Sequence, residues 1–422
     1  MHQVDQRVLN DQYRDHLTAR EAAEMLGIKL PTLYAYTSRG LVRSMAGPKG
    51  RTRRYLRADL ERLRARRDAR AGHGPVAAAA LRFGEPVLDT RLTAIDPERG
   101  PIYRGQLAAK LAEQGTPFEA VCELLWTGAS LADSPVWPPS DPPPAIDALA
   151  HLLPATATPL ERLASSLPLL AAHDPGRFAA RPESVLPRAR QLLRWMAAAL
   201  VPRFEPARIE TVLAAPSMAA AVACALGAPG HAEASTALDR ALVLCADHEL
   251  NASAFAGRVA ASTGADLYAC VGAALAALSG PQHGGAADRV EVLIEEIGEP
   301  ERAEQVVNER ARRGESTEGF GSPIYPRGDP RGVALLGWAE ELAPGSRGVR
   351  SCRALVDAMA ASGVGPTVDL GLVALASALA LPAGSAVGMF AIARCGGWVA
   401  HTLEQYQAGF LLRPRARYTE RD

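Results

Sequence analysis

Residues Ala246 to Ala286 read ADHELNASAFAGRVAASTGADLYACVGAALAALSGPQHGGA, two runs of small apolar residues with helical character and a histidine at either end, His248 and His283. Such helices pack without histidine, so the two imidazoles need a separate reason. Gly280 and Pro281 stop the second run, and Gly284 and Gly285 strip side chains from beside His283, where backbone or a ligand can then approach closely. Two accounts stand: structural histidines satisfied at helix ends, or a site that uses imidazole near neutral pH.

Further along, Asp369 stands in VGPTVDLGLVALASALAL (364–381), where nearly every neighbour is apolar. Desolvation raises a carboxylate's pKa and makes it a stronger base, so an isolated aspartate there is a candidate proton acceptor. A buried aspartate capping a helix after Thr367 is the structural alternative.

These stretches together resemble the citrate synthase family. In that family ADHGMNASTFxARVxAST runs into GPLHGGANE. The matching residues here are Asp247, His248, Asn251, Ala252, Ser253, Phe255, Arg258 and Val259, then Gly280, Pro281, His283, Gly284 and Gly285. PTVDL (366–370) matches PNVDF, and FAIARCGGWVAHTLEQ from Phe390 matches FAIARVAGWxAHxLEQ, so the resemblance runs from about Glu85 to the C-terminus. It implies that Asp369 removes a proton from the methyl group of a bound acyl-CoA while neutral His283 donates a hydrogen bond to the forming enolate oxygen. Both are needed, because an enolate beside a thioester is otherwise too costly near neutral pH.

The resemblance also implies that His248, Arg331, Arg394 and Arg413 hold oxaloacetate, whose two carboxylates suit planar guanidinium forks. Each arginine taken alone reads as a surface or helix-end residue. In the family the arginine matching Arg413 reaches the site of the other subunit, so a two-fold homodimer is implied. The coenzyme A thioester enters as substrate, and no metal or permanently bound cofactor is implied.

One loop departs from the pattern. The family's GFGHRVYxxxDPR is GFGSPIYPRGDPR here (319–331), which puts Ser322 where a third active-site histidine polarises the ketone of oxaloacetate. Serine is a shorter and weaker donor, and losing such a donor costs about 10²- to 10³-fold in rate. The chain has no histidine between His283 and His401 to replace it. Pro326 occupies a usually basic position associated with coenzyme A, and Arg327 beside it is the candidate replacement. Ala287 and Asp288 stand where the family has Asn and Glu.

A chain of 422 residues suits two or three domains, and 48% hydrophobic residues are ample for a large core. Basic and acidic residues balance at 46 each, so nothing global points to nucleic acid or membrane. Cys122, Cys224, Cys245, Cys270, Cys352 and Cys395 lie far apart with no CxxC, which reads as reduced thiols without a zinc site or disulfide framework. No run reaches the ~18 apolar residues of a membrane span, the N-terminus has no apolar signal core, and the protein is expected to be cytoplasmic.

Local charge tells more. In LTAREAAEMLGIKLPTLYAYTSRGL (17–41), Thr18 and Glu21 form a capping box, Ala22, Ala23 and Leu26 form an apolar face, and Gly27 closes the helix. A second helix over Pro31 to Ser38 turns Leu33 inward and leaves Thr32, Tyr34, Tyr36 and Arg39 outside, at helix-turn-helix spacing. A Gly-containing wing carrying Arg51, Arg53 and Arg54 follows, then a basic helix. The segment resembles the winged helix-turn-helix of excisionase and MerR-type proteins. Eleven basic against three acidic side chains between Arg43 and Arg70 favour phosphate contact; a solvated basic linker on a docking module is the alternative.

Elsewhere, VLDTRLTAIDPERGPIYRG (87–105) reads as a hairpin turning at Asp96, Pro97 and Gly100, similar to the family's opening hairpin. LAAKLAEQGTPFEAVCELLWTG (107–128) has helical periodicity, its Phe118, Val121, Leu124, Leu125 stripe reading as core. PVWPPSDPPP (135–144) is expected to be an exposed loop. The expected fold class is mainly α, a citrate synthase-like two-domain helical fold preceded by a small winged helix-turn-helix domain. Its boundaries are a tail over 1–16, the helix-turn-helix over 17–70, a linker over 71–83, a large domain over 84–284 and 382–422, and a small domain over 285–381.

Two functions from different classes remain. One is Claisen condensation of acetyl-CoA with oxaloacetate to citrate and CoA, with propionyl-CoA or another 2-oxo acid as a close variant giving 2-methylcitrate. The other is a DNA-binding regulator that senses such a metabolite. Asp369 favours the enzyme, since a sensor has no use for a base; Ser322 favours the sensor.

Overall fold

The computed structural model describes residues 16–38, 41–47, 52–61, 63, 88–133, 135–143, 146–230 and 232–414. Its contacts divide the chain into two compact units, Met1–Asp89 and Thr90–Asp422. The linker expected over 71–83, with Arg39 and Arg51, lies outside the described residues.

In the first unit the helix Ala19–Leu26 starts on the Thr18 and Glu21 capping box and ends on Gly27 in the left-handed region. The helix Leu30–Ser38 follows, with Leu33 buried. Three short strands complete the unit: β1 (His16–Thr18), β2 (Ser44–Ala46) and β3 (Arg53–Leu56), antiparallel in the order β1-β3-β2. The hairpin of β2 and β3 is the expected wing; strand β1 has no counterpart in the sequence reading. Ala22, Ala23, Leu26, Leu33, Val42, Tyr55 and Leu60 form the core, and the ring of Tyr36, expected outside, packs against it. Arg43 grips Asp59 through its Nε (2.9 Å) and Nη2 (3.0 Å), which ties the base of the wing to the segment after β3.

The second unit opens with β4 (Thr93–Asp96) and β5 (Gly100–Tyr103), paired antiparallel as the turn residues predict, with β6 (Gln106–Leu107) alongside. Among the described residues, every named element after it is a helix. The 107–128 stretch splits into Ala108–Glu113 and Phe118–Thr127, because Gly115 takes positive φ and Pro117 precedes the second helix. The segment expected to be an exposed loop is strapped down: Trp137 is buried, stacks on Trp126 at 5.4 Å and donates from Nε1 to Glu123. Burial of a tryptophan outweighs the exposure that its proline neighbours suggest.

The helix Ser385–Ala408 runs through the middle of this unit, apolar on nearly every side. At 24 residues it is about 36 Å long. It packs against Phe118–Thr127, Ala232–Cys245, Ala252–Ser262, Leu267–Leu278 and Val368–Ala378. At Gly397 a Cβ would sit 2.3 Å from Asp247 Oδ1 and 2.6 Å from the Ala246 carbonyl, so only glycine lets the 246–248 loop lie against the helix. The helices Ala286–Ile297, Pro330–Leu342, Arg347–Met359 and Val368–Ala378 pack on one another and share one continuous apolar core with the rest of the unit.

Candidate active site

Several chain ends converge beside the long helix. Tyr103 fixes the first: its buried hydroxyl lies 3.1 and 3.0 Å from the carbonyls of Val243 and Leu244 and accepts the Asp247 N–H, so the chain leaving the helix Ala232–Cys245 is held through Asp247 to His248. The second is the turn after the helix Leu267–Leu278. There Gly284 donates to the Leu278 carbonyl at 2.8 Å, and any Cβ on it would lie 2.8 Å from that same oxygen, which fixes the path around His283. The third is the loop 319–329, zipped to 365–367 by Thr367 N–H to the Gly319 carbonyl and Asp329 N–H to the Pro366 carbonyl, both 2.8 Å. That zip brings Tyr325, Arg331 and Asp369 to one place.

His248 is buried, with Nε2 2.8 Å from the Tyr325 hydroxyl. Burial, then the charges of Arg331 and Arg394, hold its pKa well below the usual histidine value, so the ring is neutral. Burial and Arg394 likewise hold His283 down at about 4. Its Nε2 lies 2.9 Å from Ser253 Oγ, which also receives Trp398 Nε1–H at 3.1 Å and lies 2.6 Å from Asn251 Oδ1. Asn251 Oδ1 already accepts two backbone N–H groups, from Ser253 and Ala254. Ser253, which donates to Asn251 Oδ1, thereby ties the His283 ring to Asn251 and Trp398 and fixes its orientation.

Asp369 follows the N-cap Thr367 by two residues and is not itself the cap. It accepts the Thr367 hydroxyl at 3.0 Å. Burial nevertheless raises its pKa above the ordinary carboxylate value, against the lowering effects of that hydroxyl and of Arg331.

Two buried guanidiniums complete the cluster. Arg331 forms a fork on Asp329 through Nε (3.0 Å) and Nη2 (2.7 Å), yet its Nη1 has no partner. Arg394 lies over the Phe390 ring at 4.7 Å with Nε and Nη1 both unpartnered. Each buried N–H left unmet costs roughly 1–3 kcal/mol, so both arginines await acceptors. Asp247, 3.3 Å from His401 Nε2, supplies a buried counter-charge next to Arg394; burial pushes its pKa up, but His401 and Arg394 bring it below the ordinary value. Two neutral imidazoles, a basic carboxylate and unmet guanidinium donors can together bind an anion of more than one carboxylate and move a proton beside it.

The profile of the citrate synthase C-terminal domain matches residues 82–415. The chain belongs to the citrate synthase family. A helix-turn-helix profile matches residues 17–68 of the same chain. Citrate synthase 2 of Bacillus subtilis is 38% identical over 190 residues, covering 44% of this chain and 51% of that protein. The chain spans about half the length of that and the next two curated relatives it matches, citrate synthases of Deinococcus radiodurans and Haloferax volcanii. 2-Methylcitrate synthase 2 of Corynebacterium glutamicum is 30% identical over 353 residues, 78% of this chain and 91% of that one. Among solved structures, the citrate synthase of Thermoplasma acidophilum in a ternary complex with carboxymethyl coenzyme A and oxaloacetate superposes with a TM-score of 0.72 at 27% identity, over 82% of this chain and 96% of that chain.

Of the residues singled out from sequence, this citrate synthase family member brings His248, His283, Arg331, Asp369 and Arg394 into one cluster, in which His248 and the two arginines are buried and His283 and Asp369 half-buried. Ser322 spends its Oγ on a local turn, accepting the backbone N–H of Ile324 at 3.3 Å and Tyr325 at 3.4 Å. Arg327 is exposed and ion-paired with Glu98, and Arg413 is exposed near the end of the described residues. Tyr325, Ser253 and Tyr103 were missed. Ser253 stood inside the quoted motif, whereas the other two carry no local signal. Arg258 of that motif is structural: buried, it binds Glu404 at 2.8 Å and Gln405 at 3.0 Å on the long helix.

In the amino-terminal unit, Tyr34, Arg53 and Arg54 line one groove of about 930 Å³ together with Arg20, Thr37 and Ser38. Thr32 is half-buried on the same helix. Arg20 was not singled out from sequence, because its place on the exposed side of the first helix gives no hint of the groove.

Proposed function

We propose that the carboxy-terminal unit catalyses a citrate synthase reaction, condensing acetyl-CoA with oxaloacetate and hydrolysing the product thioester to citrate and CoA. The observation that carries it is the pairing of a raised-pKa carboxylate, Asp369, with buried unmet guanidinium donors on Arg331 and Arg394. The arginines and His248 hold the two carboxylates of the oxo acid. Asp369 takes a proton from the methyl carbon of the thioester, and His283 donates a hydrogen bond to the enolate oxygen. The enolate carbon then attacks the ketone carbon, whose oxygen takes up a proton to become the product hydroxyl, and water adds to the thioester carbonyl to release the thiol. Closure of a small domain (285–381) on a large one (84–284 with 382–422) would exclude water during the first step. Arg327 would meet the coenzyme A phosphates, and Arg413 would complete the site of a second subunit in a homodimer.

The test is release of free CoA thiol by the purified protein. Acetyl-CoA plus oxaloacetate is expected to give release that acetyl-CoA alone does not; release only with propionyl-CoA would make the enzyme a 2-methylcitrate synthase. No release with either thioester, despite oxaloacetate binding, would sink the enzymatic proposal.

The basic groove supports a second activity, DNA binding by the amino-terminal unit, with the metabolite site acting as sensor. Phosphate contacts make affinity fall with salt, by about 0.9 in log–log slope per contact. Titrating a fluorescent duplex at several salt concentrations should give such a slope, and Arg53→Ala should flatten it by about 1. A salt-independent affinity, or a slope unchanged by the substitution, would remove the groove from DNA contact.

A further inference from the structure

The condensation leaves one task without an owner, which is polarising the ketone that the enolate attacks. Ser322, at the position where the family carries a histidine, accepts two backbone N–H groups and shapes a turn. The residue that this turn delivers is Tyr325. It is 1% exposed, its hydroxyl is 2.8 Å from His248 Nε2, and its ring stands edge-on to that imidazole at 5.6 Å. The Arg331 guanidinium lies 5.8 Å from its centroid. The phenol thus sits between the imidazole and one of the guanidiniums that hold the oxo acid.

Its chemistry suits a donor. Burial pushes the Tyr325 pKa up to about 12, although Arg331 and Arg394 pull the other way, so the hydroxyl keeps its proton throughout the neutral range. His248 beside it is neutral and has one N–H and one bare nitrogen. With the N–H on Nδ1, beside the residue's own carbonyl, the phenol donates to Nε2; an oxo acid that sets the N–H on Nε2 makes the imidazole the donor to the phenol oxygen and frees the phenol proton for a third atom.

We propose that Tyr325 is the hydrogen-bond donor to the ketone oxygen of the bound 2-oxo acid, oriented by His248 and taking over the task that a side chain at position 322 cannot perform. This rests on the assignment of the arginine cluster as the oxo acid site. No proton changes owner during polarisation: the Tyr325 O–H···O=C bond shortens as negative charge grows on that oxygen. The serine at 322 is then compatible with an active enzyme.

The test is infrared difference spectroscopy of oxaloacetate labelled with ¹³C at the ketone, bound to the intact wild-type chain and to Tyr325→Phe. Wild type should shift the ketone stretch to lower frequency. The phenylalanine variant should return it towards the free value and lower kcat for CoA release by about 10²- to 10³-fold, with KM for the oxo acid near wild type. Should that variant fold poorly, 3-fluorotyrosine at 325, a stronger donor of nearly the same shape, should move the stretch further down. A shift that survives Tyr325→Phe, or that ignores the fluorine, overturns the proposal while leaving the oxo acid site intact. A bound but unshifted ketone in wild type also overturns it. No oxaloacetate binding by wild type removes the oxo acid site, and the role of Tyr325 with it.

Discussion

Asp369→Asn should cut oxaloacetate-dependent CoA release by about 10²- to 10⁴-fold, the range for removing a positioned general base. The change is nearly isosteric, and the amide oxygen can still accept the Thr367 hydroxyl that lies 3.0 Å from Oδ2. Oxaloacetate binding should be retained, because the unmet guanidinium donors of Arg331 and Arg394 are untouched. Loss of rate with retained binding is what separates a catalytic base from a structural aspartate. The pH profile gives a second test. Burial raises the Asp369 pKa, so its reactive carboxylate form is lost as pH falls, starting from a higher pH than an ordinary aspartate would require. An acidic limb displaced upward from that of an ordinary aspartate is therefore expected in the rate, and its loss in the asparagine variant assigns it to Asp369. The measurement is CoA release against pH for the wild-type chain and the asparagine variant, with circular dichroism confirming that the variant is folded. Activity retained in Asp369→Asn would transfer the base elsewhere.

Much of this architecture is legible in the chain because the signals are local. The Thr18–Glu21 capping box, the Asp96–Gly100 turn and the Phe118, Val121, Leu124, Leu125 stripe each fall within a few residues, and the structure reproduces each of them. What stays hidden depends on partners far along the chain. Trp137 sits in a proline-rich run, and distant partners hold it down: Trp126 stacks on it, Glu123 accepts its ring N–H, and Arg194 binds its carbonyl. Tyr325 illustrates the same point at the site. A search for another histidine near Ser322 asks about residue type, whereas the structure answers with position: a turn of three residues puts a phenol against His248, 77 residues away. Tyr103 braces the loop before His248 from 144 residues away, and nothing in the hairpin announces that duty.

The two guanidiniums should respond to removal very differently in stability and with the same sign in function. Arg331 is 4% exposed and Asp329 3%, and the pair forms a two-toothed fork, so Arg331→Met strands a buried carboxylate. Breaking such a pair costs about 3–5 kcal/mol. Arg394 is equally buried but leaves Nε and Nη1 unpartnered, and burial followed by the nearby charge of Arg331 lowers its pKa. A methionine there fills similar volume without the desolvation cost, and Asp247 keeps His401 as neighbour at 3.3 Å. Arg394→Met should therefore leave the protein as stable as wild type or more stable by about 1–2 kcal/mol. Both variants should lose oxaloacetate binding, since each removes a donor fork for a carboxylate. Urea denaturation reads the first property and calorimetric titration with oxaloacetate the second. A protein that keeps a destabilising buried cation does so for its ligand, and that is the meaning of a stability gain paired with lost binding. If Arg394→Met proves as destabilising as Arg331→Met, Arg394 belongs to the scaffold and the oxo acid must be held by other groups.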